Sequence, residues 1–237
     1  MATRRPRAVA PWFRFLALAA LLALPVAGRA DDAAKDAACR DGAVRAVQKR
    51  YEGIRDLRAR FVQKTRAVSI GSQAAEPTLS QGTVVVAKPS RMRWSYETPE
   101  PSLVVSDGKT LWIYDPGFGE VQKLAADGGT FSGAALQFLL GKGDLEKEFS
   151  IRLLSCDAHA VELELTPKEP ASYEKLHIVV DPATGNVSRT RVDDLVGNST
   201  VVEFSDLRVN LDPPAETFRF DPPAGVRVIE LSSPKRD

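Results

Sequence analysis

The sequence predicts a mainly β protein, one large antiparallel sheet curled into a barrel, on three observations. Residues 79–115 form consecutive strand-length runs with aromatics at alternate positions, joined by tight turns. From Phe149 onward such runs resume at short intervals, for roughly ten or eleven strands in all. No internal repeat breaks the pattern into units, and many strands at hairpin spacing close most simply as one curled sheet.

Taken in order, the chain opens with Arg4, Arg5, Arg7 and Arg14 ahead of an apolar run over residues 15–27, then Gly28-Arg29-Ala30. This is the layout of a secretory signal of the Sec type over residues 1–30, with cleavage expected after Ala30. The apolar run falls short of the about 20 residues that span a membrane. Cys39 follows Asp31, Asp32, Lys35 and Asp36, too late and in too polar a setting for a lipid-anchored cysteine. Residues 31–38 read as a flexible tail, 39–231 as the folded domain and 232–237 as a C-terminal tail. Val44, Val47 and Tyr51 fit one face of a helix over residues 41–51.

Leu57, Ala59, Phe61 and Gln63 alternate with Arg58, Arg60, Val62 and Lys64, as in a strand with an apolar face in and a basic face out. Residues 69–78 lack periodicity and read as a loop. Met92, Trp94 and Tyr96 share one face of the next alternating strand, after the Lys88-Pro89 strand end. Asp107-Gly108 predicts a two-residue type I′ hairpin turn, which needs positive φ at both central positions. Pro116-Gly117-Phe118-Gly119 is a further turn. The period then changes: Ser132 suits the N-cap of a short helix carrying Ala135, Leu136, Leu139 and Leu140, stopped by Gly141. A second short helix is expected near residues 144–147. Strands resume with Ile151/Leu153, Val161/Leu163/Leu165, Leu176/Ile178/Val180, residues 187–192 and 200–209, then Phe218-Phe220 and residues 226–229.

Removing residues 1–30 takes five arginines and no acid from the balance, leaving 207 residues with 27 basic against 31 acidic side chains, a net −4. A mildly acidic exported domain is a poor nucleic-acid binder, and about 200 residues suit one β domain with a sizeable core. Cys39 and Cys156 enter an oxidising compartment together, as a disulfide or as two separate buried thiols.

No nucleophile elbow, phosphate loop or metal-ligand spacing is present, so the sequence gives no reason to expect an enzyme, a metal or a cofactor. His159 and His177 lie far apart, and His177 falls on an outward face as a solvated residue. Asp193-Asp194 reads as a turn pair rather than an acid/base couple. What remains is an aromatic set, Phe61, Trp94, Tyr96, Trp112, Tyr114, Phe131 and Phe138, which would serve either a closed core or a binding cavity.

In order and spacing, Phe61-Val62-Gln63-Lys64, the segment Gly82…Lys88-Pro89…Arg93-Trp94, Val104-Val105-Ser106-Asp107-Gly108-Lys109-Thr110-Leu111-Trp112-Ile113-Tyr114-Asp115 and the ending Phe218-Arg219-Phe220…Pro222-Pro223-Ala224-Gly225-Val226 resemble the LolA family of outer-membrane lipoprotein carriers. The resemblance implies an incomplete, unclosed antiparallel barrel of about eleven strands, with short helices forming a lid over an apolar cavity. It implies a periplasmic chaperone without a cofactor. Such a carrier takes triacylated lipoproteins from an inner-membrane LolCDE-type ABC transporter and passes them, as a monomer, to an outer-membrane LolB-type acceptor. On this resemblance Ala59, Phe61, Trp94, Tyr96, Leu111 and Ile113 line the cavity, and Leu136, Leu139 and Leu140 form the underside of the lid. Lys88 stands where many relatives carry an arginine that latches the lid. It lacks the planar fork of arginine, and Met92 stands at a partner-docking position. An acyl chain of roughly 14 methylenes costs on the order of 11 kcal/mol to expose to water, which is why a soluble carrier needs such a cavity. The same fold with different work, as a shuttle for another lipid or glycolipid or as an envelope-stress sensor module, is the alternative reading. A lipid or glycan hydrolase, or a structural domain with a closed core, are rivals from other classes.

Overall fold

A computed structural model describes residues 27–68, 76–126 and 144–231, with side chains from Asp31 onward. In chain order these are helix α1 (Ala27–Glu52), then strands β1 (Asp56–Arg66), β2 (Thr78–Ala87), β3 (Arg91–Thr98), β4 (Ser102–Ser106), β5 (Thr110–Asp115) and β6 (Glu120–Ala125). A one-turn helix α2 (Leu145–Glu148) leads into β7 (Phe149–Cys156), β8 (Val161–Pro167), β9 (Tyr173–Val180), β10 (Val187–Asp194) and β11 (Ser199–Val209). A 3₁₀ turn (Ala215–Phe218) and β12 (Arg227–Leu231) follow.

All twelve strands form one sheet in the order β12-β6-β5-β4-β3-β2-β1-β11-β10-β9-β8-β7. Two meanders, β1–β6 and β7–β11, meet where β1 pairs with β11, from Leu57↔Val209 to Arg66↔Ser199. The end strands β12 and β7 lie at opposite edges of this order, so the barrel is unclosed. Every pairing is antiparallel except β12 on β6. Alternation along each strand sends one set of side chains to the concave face. Ala59 and Phe61, Val84 and Val86, Leu163 and Leu165, and Leu176 and Ile178 are buried there as one cluster.

Curvature comes from local irregularities that open a strand on one side. Between Arg58/Arg60 and Ser205/Arg208, β11 carries an extra residue, with Asp206 at φ 53°. Comparable shifts interrupt β2–β3, β9–β10 and β7–β8.

Helix α1 lies across the end of the barrel where β10 begins. Ala43, Val44, Val47 and Tyr51 are buried in the concave cluster, as the spacing of Val44, Val47 and Tyr51 predicts. The turn from β9 to β10 closes tightly on it: Gly185, at φ 71°, leaves no room for a Cβ against the Ala46 carbonyl. Arg50 Nε donates to Asn186 Oδ1 at 2.8 Å, and the Val187 amide donates to the Tyr51 hydroxyl at 3.4 Å. Burial pushes the Tyr51 phenol up to about 12, opposed by that amide and by Arg50. Cys39 and Cys156 form a disulfide with a Cα–Cα distance of 6.4 Å, tying α1 to the end of edge strand β7.

Several expectations change. Residues 31–38 are helical and continue α1 rather than forming a tail. Ala33, Ala34, Ala37 and Ala38 have the highest helix propensity, and the disulfide fixes the turn that follows them. The Asp107-Gly108 turn is not type I′, because only Gly108 has positive φ, at 97°. Its three residues are held instead by the Asp107 carboxylate, which accepts from the Lys109 and Thr110 amides at 2.7 and 2.8 Å. Phe218 and Phe220 are not in a strand. Pro213-Pro214 and Pro222-Pro223 flank them without ladder donors, so the segment crosses the outer face of β3–β5 as a strap. Arg93 donates to the Thr217 carbonyl at 3.3 Å, and Arg91 covers the Phe218 ring at 4.9 Å. The strap then delivers β12 alongside β6 in the same direction, which accounts for the parallel pair. The expected turn at residues 116–119 and the helix near 144–147 are present, the latter N-capped by Asp144. The helix expected at 132–141 lies outside the described residues.

The Cys39–Cys156 bridge spans 117 residues. Replacing both cysteines by serine is expected to lower unfolding free energy by about 2–5 kcal/mol, read as a lower midpoint in denaturant. An unchanged midpoint would mean that α1 is held by its packing alone.

Candidate binding site on the concave face

The two halves of the concave face are covered unequally. Beneath α1, Leu163, Leu165, Leu176 and Val180 are each 0 % exposed, so the β8–β9 half is filled core. On the β3–β6 half, Trp94, Tyr96, Val104, Ile113 and Leu124 point to the same side but are only partly buried against that core. An apolar wall that the described residues leave incompletely covered is available to an apolar guest.

Phe61 anchors this wall. Its position opposite Phe204 on β11 and Gly82 on β2 follows from the ladder register. Its ring meets Trp94 edge-on at 4.7 Å and Tyr96 at 5.1 Å, while Trp94 also approaches Phe204 at 6.4 Å. Glycine at position 82 puts no side chain beside the Tyr96 position with which it pairs. The Tyr96 hydroxyl donates to Gln63 Oε1 at 3.2 Å. Burial raises the Tyr96 phenol, partly offset by that bond, so the ring presents carbon to the wall and keeps its polar end satisfied.

Of the residues assigned to the cavity, Ala59, Phe61 and Leu111 are buried, and Trp94, Tyr96 and Ile113 are half-buried on the same face. Trp112 and Tyr114 alternate to the outer face, where Phe220 of the strap meets their rings at 5.9 and 5.5 Å. Sequence reasoning missed Val104, Leu124 and Phe204 as wall residues. Val104 was legible from the register of the Asp107 hairpin, whereas Phe204 joins the wall only through the long-range β1–β11 pairing. Leu136, Leu139 and Leu140, with Phe131 and Phe138, lie outside the described residues.

Lys88 Nζ donates to the Tyr51 carbonyl at 2.6 Å and to the Glu52 carbonyl at 3.4 Å. It thus closes the last turn of α1, where unpaired carbonyls and the negative end of the helix dipole favour a cation. Partial burial lowers the Lys88 ammonium pKa, and the Glu52 charge opposes that shift. The contact bridges the β2–β3 turn to the helix that covers the other half of the barrel. Met92, assigned to partner docking, is 4 % exposed within the concave cluster. In this conformation its side chain is core rather than docking surface, because alternation places it with Trp94 and Tyr96.

The outer face carries charge instead. A cleft of about 200 Å³ is lined by Glu162, His177, Val179, Arg189, Arg191 and Val201. His177 faces outward as expected, yet its side chain is only 13 % exposed, set 3.3 Å from Asp193 and 3.9 Å from Glu164. Burial works against the Glu164 carboxylate, but its bond and ion pair with Arg152, with Lys175 and His177 beside it, hold it below the usual range. Such mutually paired charge offers nothing to an apolar guest. Among the described residues no cluster of three His, Cys, Asp or Glu side chains could hold a metal ion.

Trp94→Ala removes the largest ring of the wall and is expected to weaken binding of a fluorescent fatty-acyl probe by about tenfold or more, on loss of roughly 1.5–3 kcal/mol of apolar contact. Equal probe affinity would take Trp94 out of the site. Lys88→Met leaves the α1 carbonyls without their cation and is expected to cost about 1–2 kcal/mol of stability, measured by denaturant titration.

The profile of the family described as "Outer membrane lipoprotein carrier protein LolA" matches residues 52–221 of this chain. An outer-membrane lipoprotein carrier protein of Dechloromonas aromatica is 33 % identical over 193 residues, covering 79 % of this chain and 88 % of that one. One of the same name from Nitrosospira multiformis is 36 % identical over 180 residues, covering 75 % and 84 %. The crystal structure of a LolA superfamily protein from Nitrosomonas europaea is similar at a TM-score of 0.42 and 12 % identity, covering 77 % of this chain and 98 % of that one. With a half-covered apolar wall inside an unclosed barrel, and a sequence match running from the last turn of α1 to the strap, this chain belongs to the LolA family of outer membrane lipoprotein carrier proteins.

Proposed function

We propose that this chain is a periplasmic chaperone that carries lipoproteins by their acyl chains from the inner to the outer membrane. The observation that carries the reading is the unequal cover of the concave face, filled beneath α1 and half-open along Trp94, Tyr96, Val104, Ile113 and Leu124. Hiding an acyl chain of roughly 14 methylenes is worth on the order of 11 kcal/mol, and an aromatic and aliphatic wall supplies the matching surface. A secretory leader pattern over residues 1–30 and the Cys39–Cys156 disulfide both fit an oxidising compartment outside the cytoplasm.

In this reading the cargo is triacylated lipoprotein, loaded by a LolCDE-type transporter that spends ATP and unloaded onto a LolB-type acceptor. The chain itself binds and releases. Lys88 would govern release through its bridge to α1, because breaking that contact frees the β2–β3 turn from the helix over the other half of the barrel. Leu136, Leu139 and Leu140 would cover the guest as a lid, as the family resemblance implies.

The test mixes the purified protein with inner-membrane vesicles, ATP and a labelled triacylated lipoprotein. Stoichiometric release of label into a soluble complex is the expected result, with Leu139→Glu abolishing it and leaving the fold intact. Lack of release, alongside a transporter active on a known carrier, would move the cargo to another lipid.

A further inference from the structure

The apolar lining of the concave face stops along one line that crosses neighbouring strands. Followed away from α1, the inward positions change character on each of them. On β1 they pass from Ala59 and Phe61 to Gln63 and Thr65, and on β11 from Phe204 and Val202 to Thr200. On β4 Val104 gives way to Ser102, and on β5 Ile113 gives way to Asp115. On β3 the line is marked by the Tyr96 hydroxyl, the polar tip of the last ring of the wall.

Several of these polar groups bond to one another. The Tyr96 hydroxyl donates to Gln63 Oε1 at 3.2 Å, Gln63 Nε2 donates to Thr65 Oγ1 at 3.3 Å, and the Thr65 and Thr200 hydroxyls pair at 3.5 Å. The result is a belt across β3, β1 and β11 on the inner side of the sheet, just past the rings of Phe61 and Trp94. Apolar residues of the same shape would hold the sheet about as well, because removing donor and acceptor together is close to neutral. Stability alone therefore does not account for a polar belt at this place.

A guest lying on the wall meets two different surfaces. Each methylene laid against the apolar stretch tightens binding by roughly fourfold. A methylene laid on the belt gains nothing comparable, because it strips water from amide and hydroxyl groups without bonding to them. The apolar stretch also has the dimension of an acyl tail. From Met92 to Tyr96 along β3 is four residue steps, roughly 14 Å, and one leaflet of bilayer hydrocarbon is about 15 Å deep. Lys88 and the last turn of α1 stand at the near end of that stretch. A guest whose release Lys88 governs keeps its polar end there and points its tail tips at the belt.

We propose that the belt of Tyr96, Gln63, Thr65 and Thr200 sets the length of acyl chain that the wall accepts. It is the floor of the site: a tail that ends before the belt is held along its whole length, and a longer one leaves its extra methylenes unburied. This rests on the reading of the concave face as an acyl-chain site, and adds which chains that site prefers.

An even-numbered series of saturated fatty acids, each competing with a fluorescent fatty-acyl probe for the purified protein, measures the limit. Affinity is expected to rise roughly fourfold per methylene up to a break and to level off beyond it. In Gln63→Leu with Tyr96→Phe the break is expected to move to longer chains. An acid two carbons past the wild-type break should then bind about tenfold tighter than it binds the wild type. Adding Thr65→Val and Thr200→Val should move the break further. Ile113→Thr sets a hydroxyl ahead of the belt and should move the break to shorter chains. Cooperative unfolding in denaturant checks the fold of each variant. An affinity that climbs through the whole series overturns the proposal. So does a break that stays at the same chain length in the folded belt variants or, where those do not fold, in Ile113→Thr. Either result leaves the acyl-chain reading in place. A wild type that binds neither the probe nor any acid overturns that reading and the proposal with it.

Discussion

The pairing of β1 with β11 makes the barrel possible. It joins residues about 140 apart in sequence, from Leu57↔Val209 to Arg66↔Ser199, and turns two separate meanders into one sheet. Closing so long a loop costs entropy that must be met by the contacts it creates. Phe61 supplies many of them, because its ring lies against Trp94 and Tyr96 from one meander and opposite Phe204 from the other. Without that ladder the concave face would be two half-walls, each unable to bury its apolar side.

Once the sheet exists, the proposed function rests on what the described residues leave uncovered. Helix α1 fills the β8–β9 half and is fastened at three places: the disulfide to β7, the Gly185 turn, and Lys88 on its last carbonyls. The strap over residues 213–226 fastens the outside of the β3–β5 half by Phe218, Phe220 and the Arg91 and Arg93 contacts. Both coverings leave the inner surface of the β3–β6 half alone. A carrier has this requirement in physical terms: rigid walls, and a stretch of apolar surface whose burial is deferred until the guest arrives.

Lys88 is where the β2–β3 turn meets the end of α1. An arginine at that place would make a bidentate, fixed contact, while the lysine ammonium closes the helix end as a point charge on a flexible stem. Its ammonium is partly buried where it meets the last α1 carbonyls, and burial lowers its pKa against the opposing charge of Glu52.

The strands and their inward sets can be read from residue order, because a period of two is written locally. Ala59, Phe61, Trp94, Tyr96, Leu111 and Ile113 were legible as one face each, and Val44, Val47 and Tyr51 as a helix stripe. Residue order also carried the family motifs around Lys88 and Asp107. Tertiary structure alone decided which faces meet: that Phe204 and Phe61 share a wall, that Phe218 and Phe220 strap the outside instead of extending the sheet, and that β12 runs parallel to β6. Met92 shares its face with Trp94 and Tyr96 by local alternation, and only its burial in the concave cluster is a tertiary result. Long-range register, bulges such as the one at Asp206, and a disulfide are properties of two segments at once, and local periodicity holds information about only one.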